Sequence, residues 1–129
     1  MTIAQFRRIA LELPETAEGA HMGHPDFRVK GKIFATLFRR DDIDCGMVKL
    51  KPEQQRRFVT AHPEVFQPVK GGWGRQGCTQ VCLEAVSKAA VAILRGAMLT
   101  AWVNTAPKRL VEEPTQATQR RRKRPQREA

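Results

Sequence analysis

Residues 27–50 read FRVKGKIFATLFRRDDIDCGMVKL and contain the strongest strand pattern in the chain. Three apolar segments, at 27–30, 32–39 and 46–50, are separated by a Lys-Gly pair and by an acidic turn at 41–44. Short apolar runs bounded by turn residues are typical of strands joined by hairpins. The middle run is apolar at successive positions, as in an interior strand with both faces covered. The stretch therefore predicts three antiparallel strands.

The residues before this unit predict a helix that begins at Thr2. Thr2 and Gln5 have the spacing of a capping box, in which each side chain accepts a hydrogen bond from the other residue's amide. Pro14 ends the helix because it disfavours the helical conformation of the residue before it. The apolar positions that share one face are Ile3, Phe6, Ala10 and Leu13.

A second helix is predicted from Pro52, because a proline is tolerated in the first helical turn, to Pro63. Its solvent side is expected at 54–57, and its inward side at Phe58, Val59 and Ala61.

Two further strands, at 65–69 and 78–83, flank a glycine-rich loop and predict a hairpin. A third helix is predicted over 87–104. The predicted order is helix, three strands, helix, two strands, helix. This pattern predicts an α+β domain with an antiparallel sheet packed against helices.

The length of 129 residues fits one domain. We predict the domain at 1–110 and a disordered basic C-terminal tail at 111–129, because the tail is too polar to form a core. The N-terminus has no apolar signal core, no run is long enough to span a membrane, and the three cysteines are an odd number. We therefore expect a cytoplasmic protein with reduced thiols.

The formal net charge of +10 points to a polyanionic partner. Residues 107–129 hold eight Lys or Arg and three Glu, while residues 1–106 hold fifteen Lys or Arg and ten Asp or Glu. Both parts carry the same excess, so the folded domain is basic without its tail. A basic domain of this kind is typical of nucleic-acid binding, although the charge also serves solubility.

The loop KGGWGRQG at 70–77 is open to two interpretations. It is a plain turn whose glycines supply positive φ, with Trp73 packed at the core edge. Alternatively it is the exposed tip of a wing, where Lys70, Trp73 and Arg75 contact phosphate and base or sugar. Its glycine spacing resembles a dinucleotide fingerprint, but a strand rather than a helix is predicted after it.

His21, His24 and Asp26 form a second cluster, in the segment HMGHPD. Two histidines on a loop lack the fixed face that a helix provides for metal binding, and no ligand set is complete. We interpret the cluster as a structural loop or a small-ligand site, and we expect no metal, no cofactor and no enzyme activity.

Four segments together resemble the MmcQ/YjbR family of small bacterial proteins. They are HMGHPDFRVKGKIFATL (21–37), VKLKPEQQRRF (48–58), PEVFQPVKGGWGRQGCTQVCL (63–83) and AWVNTAPKRL (101–110). The resemblance implies an α-β3-α-β2-α domain, similar to type III secretion chaperones and to a phage "double wing" DNA-binding domain. DNA binding is thus an expectation from fold likeness.

Charge and resemblance together predict a DNA-binding protein of low sequence specificity, acting on duplex DNA as monomer or homodimer. The alternative is a protein-interaction module that binds through its sheet face. The expected contacts in the domain are Arg28, Lys30, Lys32, Lys49, Trp73, Arg75, Lys108 and Arg109. The tail would add Arg120, Arg121, Arg122, Lys123 and Arg124.

Overall fold

The computed structural model describes residues 1–111. The helices are α1 Ile3–Leu11, α2 Pro52–Ala61, α3 Gly72–Arg75 and α4 Val91–Thr105. The strands are β1 Thr16–His21, β2 His24–Val29, β3 Lys32–Arg40, β4 Ile43–Lys49, β5 Phe66–Pro68 and β6 Cys78–Cys82. Two single 3-10 turns, Leu83–Ala85 and Lys88–Ala90, precede α4. Within residues 1–111, no helix has both the length and the apolar character needed to cross a bilayer.

All six strands form one antiparallel sheet in the order β1-β2-β3-β4-β6-β5. The first four strands are consecutive hairpins with two-residue turns at 22–23, 30–31 and 41–42, and both residues of each turn have positive φ. Turns of this hand match the right-handed twist of the flanking strands. The predicted α+β class and the predicted hairpin of β5 and β6 are confirmed.

The structure adds β1 to the predicted order. Its sequence, TAEGAH, has one β-branched residue and no aromatic one, and four of its six residues are exposed. Local propensity therefore gives little strand signal. The strand is stabilised by pairing with β2 along its whole length, from Thr16 opposite Val29 to His21 opposite His24. The segment 21–24, interpreted from sequence as a loop, is consequently the end of a hairpin.

The helices α1 and α4 cover one face of the sheet. The predicted capping box of α1 is confirmed, since Gln5 N–H donates to Thr2 Oγ1 at 3.1 Å and Thr2 N–H donates to Gln5 Oε1 at 2.7 Å. Such a cap stabilises a helix by about 1 kcal/mol. The core joins side chains of both helices with strand residues, among them Phe6, Phe27, Phe34, Phe66, Leu94, Met98 and Trp102.

One face of α2 differs from the prediction. Gln55, expected on the solvent side, is buried, and Ala61, expected inside, is exposed. The Gln55 amide is satisfied in the interior because its Nε2 donates to the carbonyls of Gly74 and Cys78, each at 3.0 Å. Phe58 packs against the core as predicted. The buried amide thus ties α2 to the glycine-rich loop.

Candidate functional site

An open groove lies at the end of the sheet where β2 ends, β3 begins, β4 ends and β6 begins. Its volume is about 620 Å³. We call it the basic groove and define it by Arg28, Lys32, Lys49, Lys51, Trp73 and Asn104. Antiparallel pairing explains the convergence, since the register places Arg28 of β2 beside β3 and Lys49 of β4 opposite Cys78 of β6.

The basic groove has four cationic side chains and no acidic one among the described residues that line it. Lys32 and Lys51 are exposed, and Lys49 is half-buried. None of these three lysines forms an ion pair with any residue from 1 to 111. Their charges are therefore available to an anion in the groove.

The fourth cation, Arg28, is held by a buried carboxylate. Its Nε donates to Asp26 Oδ1 at 2.7 Å and its Nη2 donates to Asp26 Oδ2 at 3.0 Å. His21 Nδ1 lies 2.8 Å from the same Oδ2, and it must carry the proton because a carboxylate only accepts. Gly19 makes room, since a Cβ there would lie 3.0 Å from Asp26 Oδ1.

This cluster shifts the pKa values of both charged partners. The Arg28 hydrogen bond holds the pKa of Asp26 below its usual value, against the opposing effect of burial, and the His21 hydrogen bond lowers it further. The Asp26 hydrogen bond in turn raises the pKa of Arg28. Asp26 is completely buried while Arg28 reaches the groove, so the carboxylate orients a cation that stays permanently charged.

The glycine-rich loop is anchored to the helix α2. Residues 72–75 form the single helical turn α3, and Gln55 holds the loop to α2 through the Gly74 and Cys78 carbonyls. Trp73 is 64% exposed, so it does not pack at the core edge either. Its ring lines the basic groove. The aromatic group predicted at a hairpin tip is therefore part of a concave, cationic surface.

Two groove residues were not predicted from sequence. Lys51 follows Lys49 at strand spacing, just before the α2 proline, and this alternation was a usable signal. Asn104 had no local signal, because its role depends on tertiary contacts. Its Nδ2 donates to the Lys49 carbonyl at 3.1 Å and to Gln54 Oε1 at 2.8 Å. It thereby joins α4, β4 and α2 at the groove.

The other predicted contact residues lie outside the groove lining. Lys30 is exposed in the β2–β3 turn beside Gly31, which does line the groove. Arg75, Lys108 and Arg109 are exposed and do not line it. The predicted tail contacts Arg120, Arg121, Arg122, Lys123 and Arg124 lie outside the described residues, as does the predicted tail from 112 onward.

The two histidines of the HMGHPD segment have different surroundings. His21 binds Asp26, whereas His24 is exposed and forms no side-chain hydrogen bond within the described chain. Among residues 1–111, no group of three or more His, Cys, Asp or Glu side chains is placed to hold a metal ion. Asp26 contacts both His21 and Arg28.

Comparisons with known proteins agree with this fold. Deinococcus radiodurans protein DR2400, a solved structure described as a DUF419 domain, superposes with a TM-score of 0.63 at 20% identity. The match covers 79% of this chain and 76% of that one. A search of curated proteins finds no match. The YjbR family model matches residues 11–106, which is most of the chain, and on that match the chain belongs to the YjbR family.

Proposed function

We propose that this protein binds nucleic acid without catalysis, with backbone phosphates in the basic groove. The observation that supports it is the convergence of Arg28, Lys32, Lys49 and Lys51 on one concave surface without an acidic neighbour among the described lining residues. Lysine and arginine contacts to phosphate supply most of the affinity of low-specificity binding. The YjbR fold does not by itself determine a function, so the proposal is based on the residues of the groove.

The composition of the basic groove supports nucleic-acid binding of low sequence specificity. Phosphate contacts fix register and orientation but do not read bases. A helix that reads the major groove presents polar side chains to base edges. The helix α4 buries Leu94, Met98 and Trp102 in the core. Its exposed face includes the apolar Leu99 and Val103, which offer no such groups. The binding we propose is therefore electrostatic, with DNA of any sequence as a ligand.

The decisive experiment compares two triple variants of the full chain by fluorescence anisotropy on labelled DNA. The groove variant replaces Lys32, Lys49 and Lys51 with alanine. We expect its affinity at 0.1 M salt to fall at least roughly tenfold, and the slope of log affinity against log salt to lose about 2.7, if each lysine contacts one phosphate. The matched control removes the same charge from exposed cations outside the groove, at Arg56, Arg57 and Lys88.

The proposal fails if both triple variants lose affinity equally, since binding then follows net charge alone. Replacing residues 120–124 with glutamine separates the contribution of the tail from that of the groove. If the two are independent, this replacement lowers the affinity but leaves unchanged the fold-loss caused by the three groove substitutions. If tail replacement abolishes all binding, the interaction-module hypothesis becomes the better explanation.

The surface for a protein partner would be the sheet face opposite the core, where Phe38 and Met47 are partly exposed. A light-scattering mass then tests for a dimer.

Trp73 gives an independent prediction of how the ligand lies. The chain has two tryptophans; Trp102 is 2% exposed and its Nε1 donates to the Pro14 carbonyl, whereas Trp73 is 64% exposed. Stacking of a base on an aromatic ring contributes about 1–3 kcal/mol. We expect unpaired DNA to quench the tryptophan emission, and Trp73→Leu to abolish the quench and weaken binding about tenfold or more.

A duplex is expected to quench Trp73 less, because its bases are already stacked on each other. Unchanged emission on saturation with either ligand would place the bound strand away from α3. Emission from Trp102 provides the reference in every titration, since that ring is buried in the core.

A further inference from the structure

Cys45 of β4 and Cys82 of β6 lie directly opposite each other in the sheet. Their neighbours Gly46 and Val81 also form a pair, and Gly46 faces the Phe6 ring of α1. Side chains alternate between the two faces of a strand. Both cysteines therefore point to the face opposite α1, side by side.

The hydrogen bonds of β6 show which kind of pair this is. Cys82 N–H donates to the Val65 carbonyl at 2.8 Å, on the β5 side. In an antiparallel sheet the N–H and C=O of one residue point to the same neighbouring strand, so toward β4 Cys82 is in a non-hydrogen-bonded pair. Opposite Cα atoms in such pairs are about 4.5 Å apart. Disulfides span Cα distances of roughly 4.4–6.8 Å, a range that includes the spacing typical of such a pair.

Both thiols line one open pocket of about 350 Å³ together with Arg40 and Lys70. Cys82 is partly exposed, whereas Cys45 is only 2% exposed. Burial raises the pKa of the Cys45 thiol, and so does the neighbouring Cys82. The Arg40 charge opposes these effects, while the Asp44 and Asp41 carboxylates add to them. A reagent that enters the pocket therefore reacts first with Cys82, the more accessible thiol, and Cys45 is the second thiol of the pair.

We propose that Cys45 and Cys82 are a redox pair that forms a cross-strand disulfide by exchange with a low-molecular-weight peptide disulfide. The Cys82 thiolate attacks one sulfur of the oxidant, whose S–S bond breaks and releases one thiolate. Cys45 then gives up its proton and attacks the Cys82 sulfur, which releases the second thiolate. The protein loses two electrons and two protons, and the oxidant becomes two thiols.

Cys78 serves as an internal control. It lies four residues from Cys82 along the same strand, a separation of about 13 Å that no disulfide bridges. Its register partner on β4 is Lys49, and burial raises the pKa of its thiol while the Lys49 charge opposes that effect. Oxidation should therefore consume two of the three thiols.

The test incubates the full chain with oxidised glutathione, removes the reagent and counts free thiols after denaturation. We expect the count to fall from three to one and to return on reduction with dithiothreitol. Intact mass should decrease by two hydrogen atoms, and peptide mapping should join the Cys45 and Cys82 peptides. In Cys45→Ala, glutathione should remain attached to Cys82, whereas in Cys82→Ala both remaining thiols should stay free.

Three results would overturn the proposal. They are a wild-type protein that keeps all its thiols, one that stops at the glutathione adduct, and one whose disulfide includes Cys78. The experiment measures sulfur chemistry on the sheet face, so its outcome is independent of whether the basic groove binds nucleic acid.

Discussion

Gly77→Ala is expected to lower the free energy of unfolding by about 4 kcal/mol, by backbone strain and overpacking together. Gly77 has a φ of +114°, which L side chains rarely adopt, and an added Cβ would overlap the Leu50 carbonyl oxygen. The obstacle is backbone, so no side-chain rotation relieves it. Urea denaturation followed by circular dichroism measures the loss directly.

Gly77 lies between two segments that line the basic groove. On one side of it lie Trp73 and Gln76, and on the other lie Leu50 and Lys51, all of them groove-lining residues. The close backbone approach is what places the tryptophan ring near the lysines. Any Gly77→Ala protein that remains folded should therefore bind DNA more weakly, although the substitution changes no charge.

Gly96→Ala is the matched control for this glycine. Gly96 lies in α4, and a Cβ there would have no contact within 4 Å. The same substitution should stabilise the protein by about 1 kcal/mol, because alanine has the higher helix propensity. A Gly77→Ala protein whose stability stays within about 1 kcal/mol of wild type, the least that such backbone strain should cost, would contradict the close approach of the loop to Leu50.

The sequence predicted the elements whose signals are local. The capping residues of α1, the prolines that bound α2 and the apolar runs of β3 and β4 each act within a few positions. The strand β1 was missed because its small and polar residues are held by pairing with β2 rather than by their own propensity. Gln55 was placed outside because an amide is usually solvated. Its burial is explained by the carbonyls of Gly74 in the loop and Cys78 in β6, which accept its hydrogen bonds.

The candidate site was predictable in part for the same reason. Lysines and arginines near strand ends can be identified from sequence, and Arg28, Lys32 and Lys49 do converge on one groove. The loop at 70–77 was open to two interpretations, a plain turn or the tip of a wing. Neither included the helical turn α3 or the approach of Gly77 to the Leu50 backbone, because both depend on tertiary packing. Asp26 was assigned to a loop with the histidines, since its distance to Arg28 depends on the β2 strand that its own segment forms.

Asp26→Asn is expected to lower the free energy of unfolding at pH 7 by about 3 kcal/mol, the lower end for breaking a buried ion pair. The Asp26 side chain is fully buried, whereas Arg28 is 37% and His21 43% exposed, so water can solvate the partners left behind. Asp44→Asn provides the control, because its pair with Arg39 is exposed on both sides. Surface pairs of that kind contribute under about 1 kcal/mol.

The pH dependence identifies the charge as the cause. The pKa of Asp26 is lowered in the folded protein, so its contribution is complete above the unfolded value of about 3.9 and is lost as pH falls through the folded value. The stability difference between wild type and Asp26→Asn should therefore be full near neutral pH and shrink below about pH 4. A difference that persists unchanged in acid would mean that the amide disturbs packing rather than charge.

The same variant separates stability from binding at the basic groove. Without the carboxylate, Arg28 keeps its charge but loses the two-point contact that fixes its guanidinium at the groove wall, because asparagine offers one acceptor oxygen instead of two. Net charge rises by one, so a purely electrostatic ligand attraction would strengthen. If DNA affinity nevertheless falls in Asp26→Asn under conditions where the protein is folded, the position of Arg28 matters as well as its charge, and Asp26 acts as a positioning residue. Rising affinity would instead mean that the groove attracts phosphate by charge alone.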